Sequence, residues 1–142
     1  MLRRFHLVAL LALLLALPLA RSESAPSTIF AWNTAAPPPI LRMEAQGAIL
    51  DDKLYVFGGF YNDDYQATDR ADVYDPLTNS WAQIADVPVP LTHAPVVVAD
   101  GQLILGAGYE DDHPGPSTAL VRTYDPATNA WGMLPSLPSH RG

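Results

Sequence analysis

YDPLTNSW at Tyr74–Trp81 is written again, with two changes, as YDPATNAW at Tyr124–Trp131, fifty positions further on. A doubled octet is either a duplicated active-site loop or one structural unit used twice. Its residue types favour the second. Proline presets φ near −65° for the second position of a type I turn, aspartate caps that turn, and asparagine tolerates the left-handed conformation at its exit. With Pro76–Asn79 as the loop, Asp75 pairs with Ser80 and Tyr74 lies across from Trp81. The same register joins Tyr124 to Trp131. Both aromatic pairs are expected to be buried between sheets, with the phenol and indole tips hydrogen-bonded.

The repeat extends well beyond the octet. Trp32, Trp81 and Trp131 are the three tryptophans of the chain, spaced 49 and 50 positions apart. Around them DDKLYVFGG (51–59) aligns with DGQLILGAG (100–108), EAQGAIL (44–50) with HAPVVVA (93–99), and WAQIADVP (81–88) with WGMLPSLP (131–138). Self-similarity at this period marks a repeat architecture in which neighbouring units bury one another. Each copy reads as four short strands. GAIL or PVVV comes first, and KLYVF or QLILG follows after an Asp-Asp or Asp-Gly hairpin turn. The third strand ends at Tyr74 or Tyr124, and the fourth begins at Ser80 or Ala130. No stretch after the leader shows sustained i, i+3, i+4 spacing, so no helix is expected.

A four-stranded antiparallel unit whose first two strands are apolar on both faces is a sheet covered on both sides, as a propeller blade is. LYVFGG with Gly58 and Gly59, a loop, and then VYDPLTNSW with Tyr74 and Trp81 resemble the kelch repeat of β-propeller proteins. The second copy departs from that pattern, carrying Gly106-Ala107-Gly108 where the diglycine stands. The resemblance implies an all-β fold of kelch-type blades in an incomplete propeller. Its parts are an N-terminal segment (25–40) holding the fourth strand of a partial blade around Trp32, a first blade (41–90), a second (91–138), and the start of a third repeat (139–142).

Before these lies MLRRFHLVALLALLLALPLARSESAPS, with Arg3 and Arg4 followed by an apolar run from Leu7 to Ala20. Fourteen helical residues span about 21 Å, short of the roughly 30 Å hydrocarbon core. The segment therefore reads as a signal peptide (1–24) rather than a stable membrane anchor, with cleavage after Ser22 or Ser24 and a secreted or extracytoplasmic product. Without it the chain keeps five basic and fourteen acidic residues, a net charge of −9. Such a surface repels phosphate backbones, which sets nucleic-acid binding aside. The absence of cysteine excludes disulfides, thiolate metal sites and thiol catalysis within this chain.

Closed propellers use about four to eight blades, whereas this sequence supplies two complete copies and a partial one. It is therefore expected to be a segment of a longer propeller. The other solution is closure by a homo-oligomer.

The octets being structural, function is sought where the copies differ, in FYNDDYQATDRAD (60–72) and YEDDHPGPSTALV (109–121). The candidate binding residues are Tyr61, Asp63, Asp64 and Tyr65 in the first loop, and Tyr109, Glu110, Asp111, Asp112 and His113 in the second. Their acids match no EF-hand spacing, so they read as a solvated acidic rim and no metal or other cofactor is assigned. His93 and His140 at the entrances of successive copies read as structural hydrogen-bonders. There is no G-x-S-x-G elbow and no local catalytic constellation. The sequence thus points to a protein- or carbohydrate-binding module rather than an enzyme. Two alternatives stay open: a self-assembling structural module, and part of a secreted propeller enzyme. Similarity to galactose oxidase would imply a copper site with a tyrosine crosslinked to cysteine, which a chain without cysteine cannot supply.

Overall fold

The structure, a computed structural model, describes residues 31–142. The signal-peptide segment and the first residues of the partial blade lie outside the described residues. From Thr34 onward the chain forms two four-stranded antiparallel sheets. The first is β1 (Gln46–Leu50), β2 (Lys53–Phe57), β3 (Ala71–Asp75) and β4 (Ser80–Gln83), paired in chain order. Between the sheets comes β5 (Leu91–Thr92), which pairs with β8 (Tyr109–Glu110). The second sheet is β6 (Val96–Ala99), β7 (Gln102–Gly106), β9 (Val121–Asp125) and β10 (Ala130–Leu134). There is no helix among the described residues.

The hairpins follow the local chemistry. Asp51 and Asp52 take φ of 50° and 60°, and Asp100 and Gly101 take 49° and 74°, the paired left-handed geometry of a two-residue turn. At the octets, Tyr74 faces Trp81 and Tyr124 faces Trp131 across the strands, as the spacing predicts. Asp75 and Asp125 each accept a backbone N–H two residues on, from Leu77 and Ala127, both at 2.9 Å. Asn79 and Asn129 sit at φ 49° and 51°.

The core lies between the sheets. Tyr55 and Phe57 of β2 meet Tyr124 at ring separations of 6.1 and 5.9 Å, and Phe57 meets Trp131 at 5.5 Å. Ala71, Val87, Leu91, Ala94, Leu103 and Leu105 complete this buried cluster. Burial of the aromatic pairs is unequal: Tyr124 is fully buried, while Tyr74, Trp81 and Trp131 are half-buried. Tyr124 is inside because the first sheet covers it. Coverage of both faces is likewise incomplete among the described residues, with Ile49 of β1 67% and Val97 of β6 58% exposed.

Among the described residues the expected fourth strand around Trp32 is not formed. Residues 31–38 pair with no strand and Trp32 is 99% exposed. A fourth strand needs a third to hydrogen-bond with, as β4 has β3 and β10 has β9. The exit of that segment nevertheless behaves as a blade exit. Ala36 donates its N–H to Asn79 Oδ1 at 2.7 Å and accepts Trp81 Nε1–H at 3.0 Å. Forty-nine residues later Ala85 makes the same two bonds to Asn129 and Trp131, at 2.8 and 2.9 Å.

The altered diglycine keeps its shape. Gly58 and Gly59 have φ of 57° and 96°, and Ala107 and Gly108 have 63° and 97°. A Cβ on Gly59 or Gly108 would lie 2.7 or 2.6 Å from a backbone carbonyl, so these positions admit no side chain. Gly106, by contrast, ends β7 with Val121 Cγ2 4.0 Å from where a Cβ would sit, so its backbone does not require glycine.

Candidate functional site

The left-handed pair after β2, and its counterpart after β7, folds the next residue back against the entrance of its own blade. Phe60 exchanges backbone hydrogen bonds with Met43, both at 2.8 Å. Tyr109 pairs in the same way with Thr92 through β8 and β5. Phe60 and Tyr109 thereby take equivalent places, and so do the entrance residues that follow Met43 and Thr92, namely Glu44 and His93. Both are left-handed, at φ 55° and 57°. They meet: His93 Nε2 lies 2.9 Å from Glu44 Oε2, and His93 Nδ1 lies 3.0 Å from Thr92 Oγ1. The His93 ring is edge-on to Phe60 at 6.1 Å and to Tyr109 at 5.4 Å.

The two variable loops close the arrangement by crossing. Asn62 organises the first loop, its Oδ1 accepting Gln66 N–H at 3.1 Å and its carbonyl accepting Tyr65 N–H at 3.2 Å. That turn places Tyr65 edge-on to Phe60 at 5.5 Å. The second loop is latched onto the first by His113 N–H to the Tyr65 carbonyl at 3.1 Å, and by Ala67 N–H to Asp112 Oδ1 at 2.7 Å. The His113 ring then lies 5.8 Å from Tyr65 and 6.4 Å from Phe60.

The result is a cleft of about 580 Å³. Phe60, Tyr65, His93, Tyr109 and His113 supply its rings, Glu44 and Asp111 its carboxylates, and Thr92, Pro114 and Gly115 the remainder. No lysine or arginine is among the lining residues. A cleft that is mostly apolar, with a few convergent polar groups, is the general form of a binding site.

The structure brings Tyr65, Tyr109, Asp111 and His113 of the sequence candidates together here. The others are placed elsewhere. Tyr61 donates to Gln66 Oε1 at 3.2 Å, and Asp63 and Asp64 are exposed in the turn. Asp112 serves as the loop latch described above. Glu110 pairs with the guanidinium of Arg122, a buried residue of β9, and this contact holds the start of the second loop against its own sheet. His93, read from the sequence as a structural hydrogen-bonder, does make such bonds, yet it also forms the wall between the two halves of the cleft. His140 has a structural contact alone, to the Ser117 carbonyl at 2.7 Å. Phe60 and Glu44 were not singled out by sequence. The signal lay in the alignment of the copies, where glutamate at 44 stands against histidine at 93.

Among the described residues no three His, Asp or Glu side chains converge as metal ligands would. Beneath the first loop lies a buried ionic cluster. The Asp72 carboxylate receives Arg42 and Arg70, and Arg42 also donates to the Arg70 carbonyl at 2.8 Å. Burial holds the Arg42 guanidinium below its ordinary pKa, opposed by the attraction of Asp72. Hydrogen bonding to the same carboxylate raises that of Arg70. These residues tie the blade entrance to the base of the loop that carries Tyr65.

Comparisons with known proteins agree with this architecture. The Kelch motif matches residues 42–88. Kelch-like protein 35 of Mus musculus is 34% identical over 106 residues, covering 75% of this chain and 17% of the relative. Kelch-like protein terF of Aspergillus terreus is 34% identical over 105 residues, covering 70% and 23%. The chain thus spans less than a quarter of the length of these relatives. The solved structure of YjhT superposes with a TM-score of 0.63 at 21% identity, over 73% of this chain and 40% of that one, a likeness of fold. With its two matching blades, its left-handed pair after the second strand and its Tyr–Trp octets, the chain belongs to the kelch-repeat family.

Proposed function

We propose that this chain is an extracytoplasmic kelch-type binding module that holds a peptide segment of a partner protein in the cleft walled by its two variable loops. One observation carries the reading. The two segments that diverge between otherwise matching repeats are the ones that cross and wall a single cleft, supplying four of its five aromatic rings. Divergent loops on a repeated, rigid scaffold are where recognition is placed. Rigid aromatic side chains give large contact area at small entropic cost, which suits them to anchor a partner's chain. Kelch-like relatives support a binding role, and the leader-like residues 1–24 support export.

The test is selection from a phage-displayed random peptide library by the full chain, in parallel with binding to a glycan array. Peptides retained by the wild type and lost by Tyr65→Ala and by Tyr109→Ala support the reading. Glycan binding with the same dependence would replace it with a carbohydrate-binding role, for which stacking aromatics are equally suited. Retention that ignores both substitutions overturns the assignment of the cleft. N-terminal sequencing of protein recovered outside the cell tests export, with Glu23 or Ala25 expected as the first residue.

A further inference from the structure

The geometry points to a cationic side chain, arginine or lysine, as the group of the partner peptide that this cleft receives. The inference rests on the peptide-binding reading and adds the chemistry of the ligand. Three observations lead to it. The lining holds the carboxylates of Glu44 and Asp111 and no lysine or arginine. A buried anion would therefore meet like charge, whereas a guanidinium or ammonium meets opposite charge. Phe60, Tyr65 and Tyr109 bring aromatic rings around the same space, and a cation over such rings is attracted to their electron-rich faces. At about 580 Å³ the cleft has room for one long side chain with its stem packed on the rings and its flanking residues at the mouth.

The position of Glu44 supports this further. His93 engages it through Oε2 at 2.9 Å, which holds the carboxylate beside the cleft. A preset carboxylate loses little freedom when a cation binds. The remainder of the chain acts in the same direction. The five basic and fourteen acidic residues after the leader make a negative field that speeds encounter with basic partners.

The experiment uses a peptide selected by the full chain and retained through the cleft, synthesised with arginine or lysine at its key position, and compared by fluorescence anisotropy with a neutral analogue. Citrulline serves for arginine and norleucine for lysine. The expected result is that selected sequences carry a basic residue, and that the neutral analogue binds about tenfold more weakly. Glu44→Gln and Asp111→Asn are each expected to weaken the cationic peptide several-fold and the neutral analogue by much less. That second comparison separates a lost charge from a misfolded cleft. Equal binding of the cationic and neutral peptides overturns the inference. Cleft-dependent peptides that carry no basic residue overturn it too, while the peptide-binding reading stands. Selection of no cleft-dependent peptide overturns both.

Discussion

Trp131 donates its indole N–H to the carbonyl of Ala85 at 2.9 Å, and the N–H of that same Ala85 donates to Asn129 at 2.8 Å. The exit of the first blade is thus clamped onto the octet of the second. The octet's asparagine has a further task, since Asn129 Oδ1 also accepts the Tyr124 hydroxyl at 2.7 Å. One side-chain oxygen therefore satisfies a buried phenol and receives the neighbouring blade.

Removing that oxygen should loosen the blade interface. Asn129→Gly keeps the left-handed backbone at no steric cost and leaves the Tyr124 hydroxyl and the Ala85 N–H without their acceptor. A loss of about 1–3 kcal/mol is expected in urea denaturation. Asn129→Asp, which preserves an acceptor at the same place, should lose less. Equal losses from the two would show that the oxygen is not what matters.

The buried ionic cluster has its own signature. Asp72 is fully buried and Arg42 nearly so. Asp72→Ala leaves Arg42 without its partner, at an expected cost of about 3–5 kcal/mol. Replacing both, as Arg42→Met with Asp72→Leu, removes the unpaired charge and should recover part of the loss by the same equilibrium measurement.

Tyr124 supplies a pH dependence. Burial pushes its phenol up from 10.0 to about 12. The folded state keeps the proton after the unfolded state has lost it, so the associated stability is full below pH 10 and is lost as pH rises towards 12. Thermal unfolding followed across that window should fall more steeply for the wild type than for Tyr124→Phe. Parallel curves would mean that Tyr124 is not the group responsible.

The left-handed pair can be tested from both sides. Gly59→Ala would set a methyl 2.7 Å from the Met43 carbonyl at a φ of 96° and should destabilise the first blade by about 1–3 kcal/mol. Ala107→Gly relieves a residue held at 63° and should stabilise by about 1 kcal/mol. Denaturation midpoints of the two variants should move in opposite directions.

Much of the fold was legible because its signals are local. Proline, aspartate and asparagine in fixed order specify a turn whatever surrounds them, and the turn then sets Tyr74 against Trp81 by counting alone. The failure around Trp32 shows the limit of such reading. A strand is a property of a pair, and the segment's similarity to a fourth strand carried no information about whether a third lay beside it. Ala36 kept its role because its partners, Asn79 and Trp81, lie in the same sheet's octet.

The candidate site was half legible for the same reason. Comparing the copies isolates the loops that differ, and Tyr65, Tyr109, Asp111 and His113 follow from that. Which loop residues face one another is a matter of crossing chains. Glu110 was drawn away by the buried Arg122, Asp112 by a backbone N–H of the other loop, and His93 was joined to Glu44 from forty-nine residues off. By itself the sequence determined the repeat, the hairpins and the aromatic register, all of which depend on neighbours along the chain. The tertiary structure alone decided the cleft, because its walls come from two blades whose packing places equivalent positions face to face.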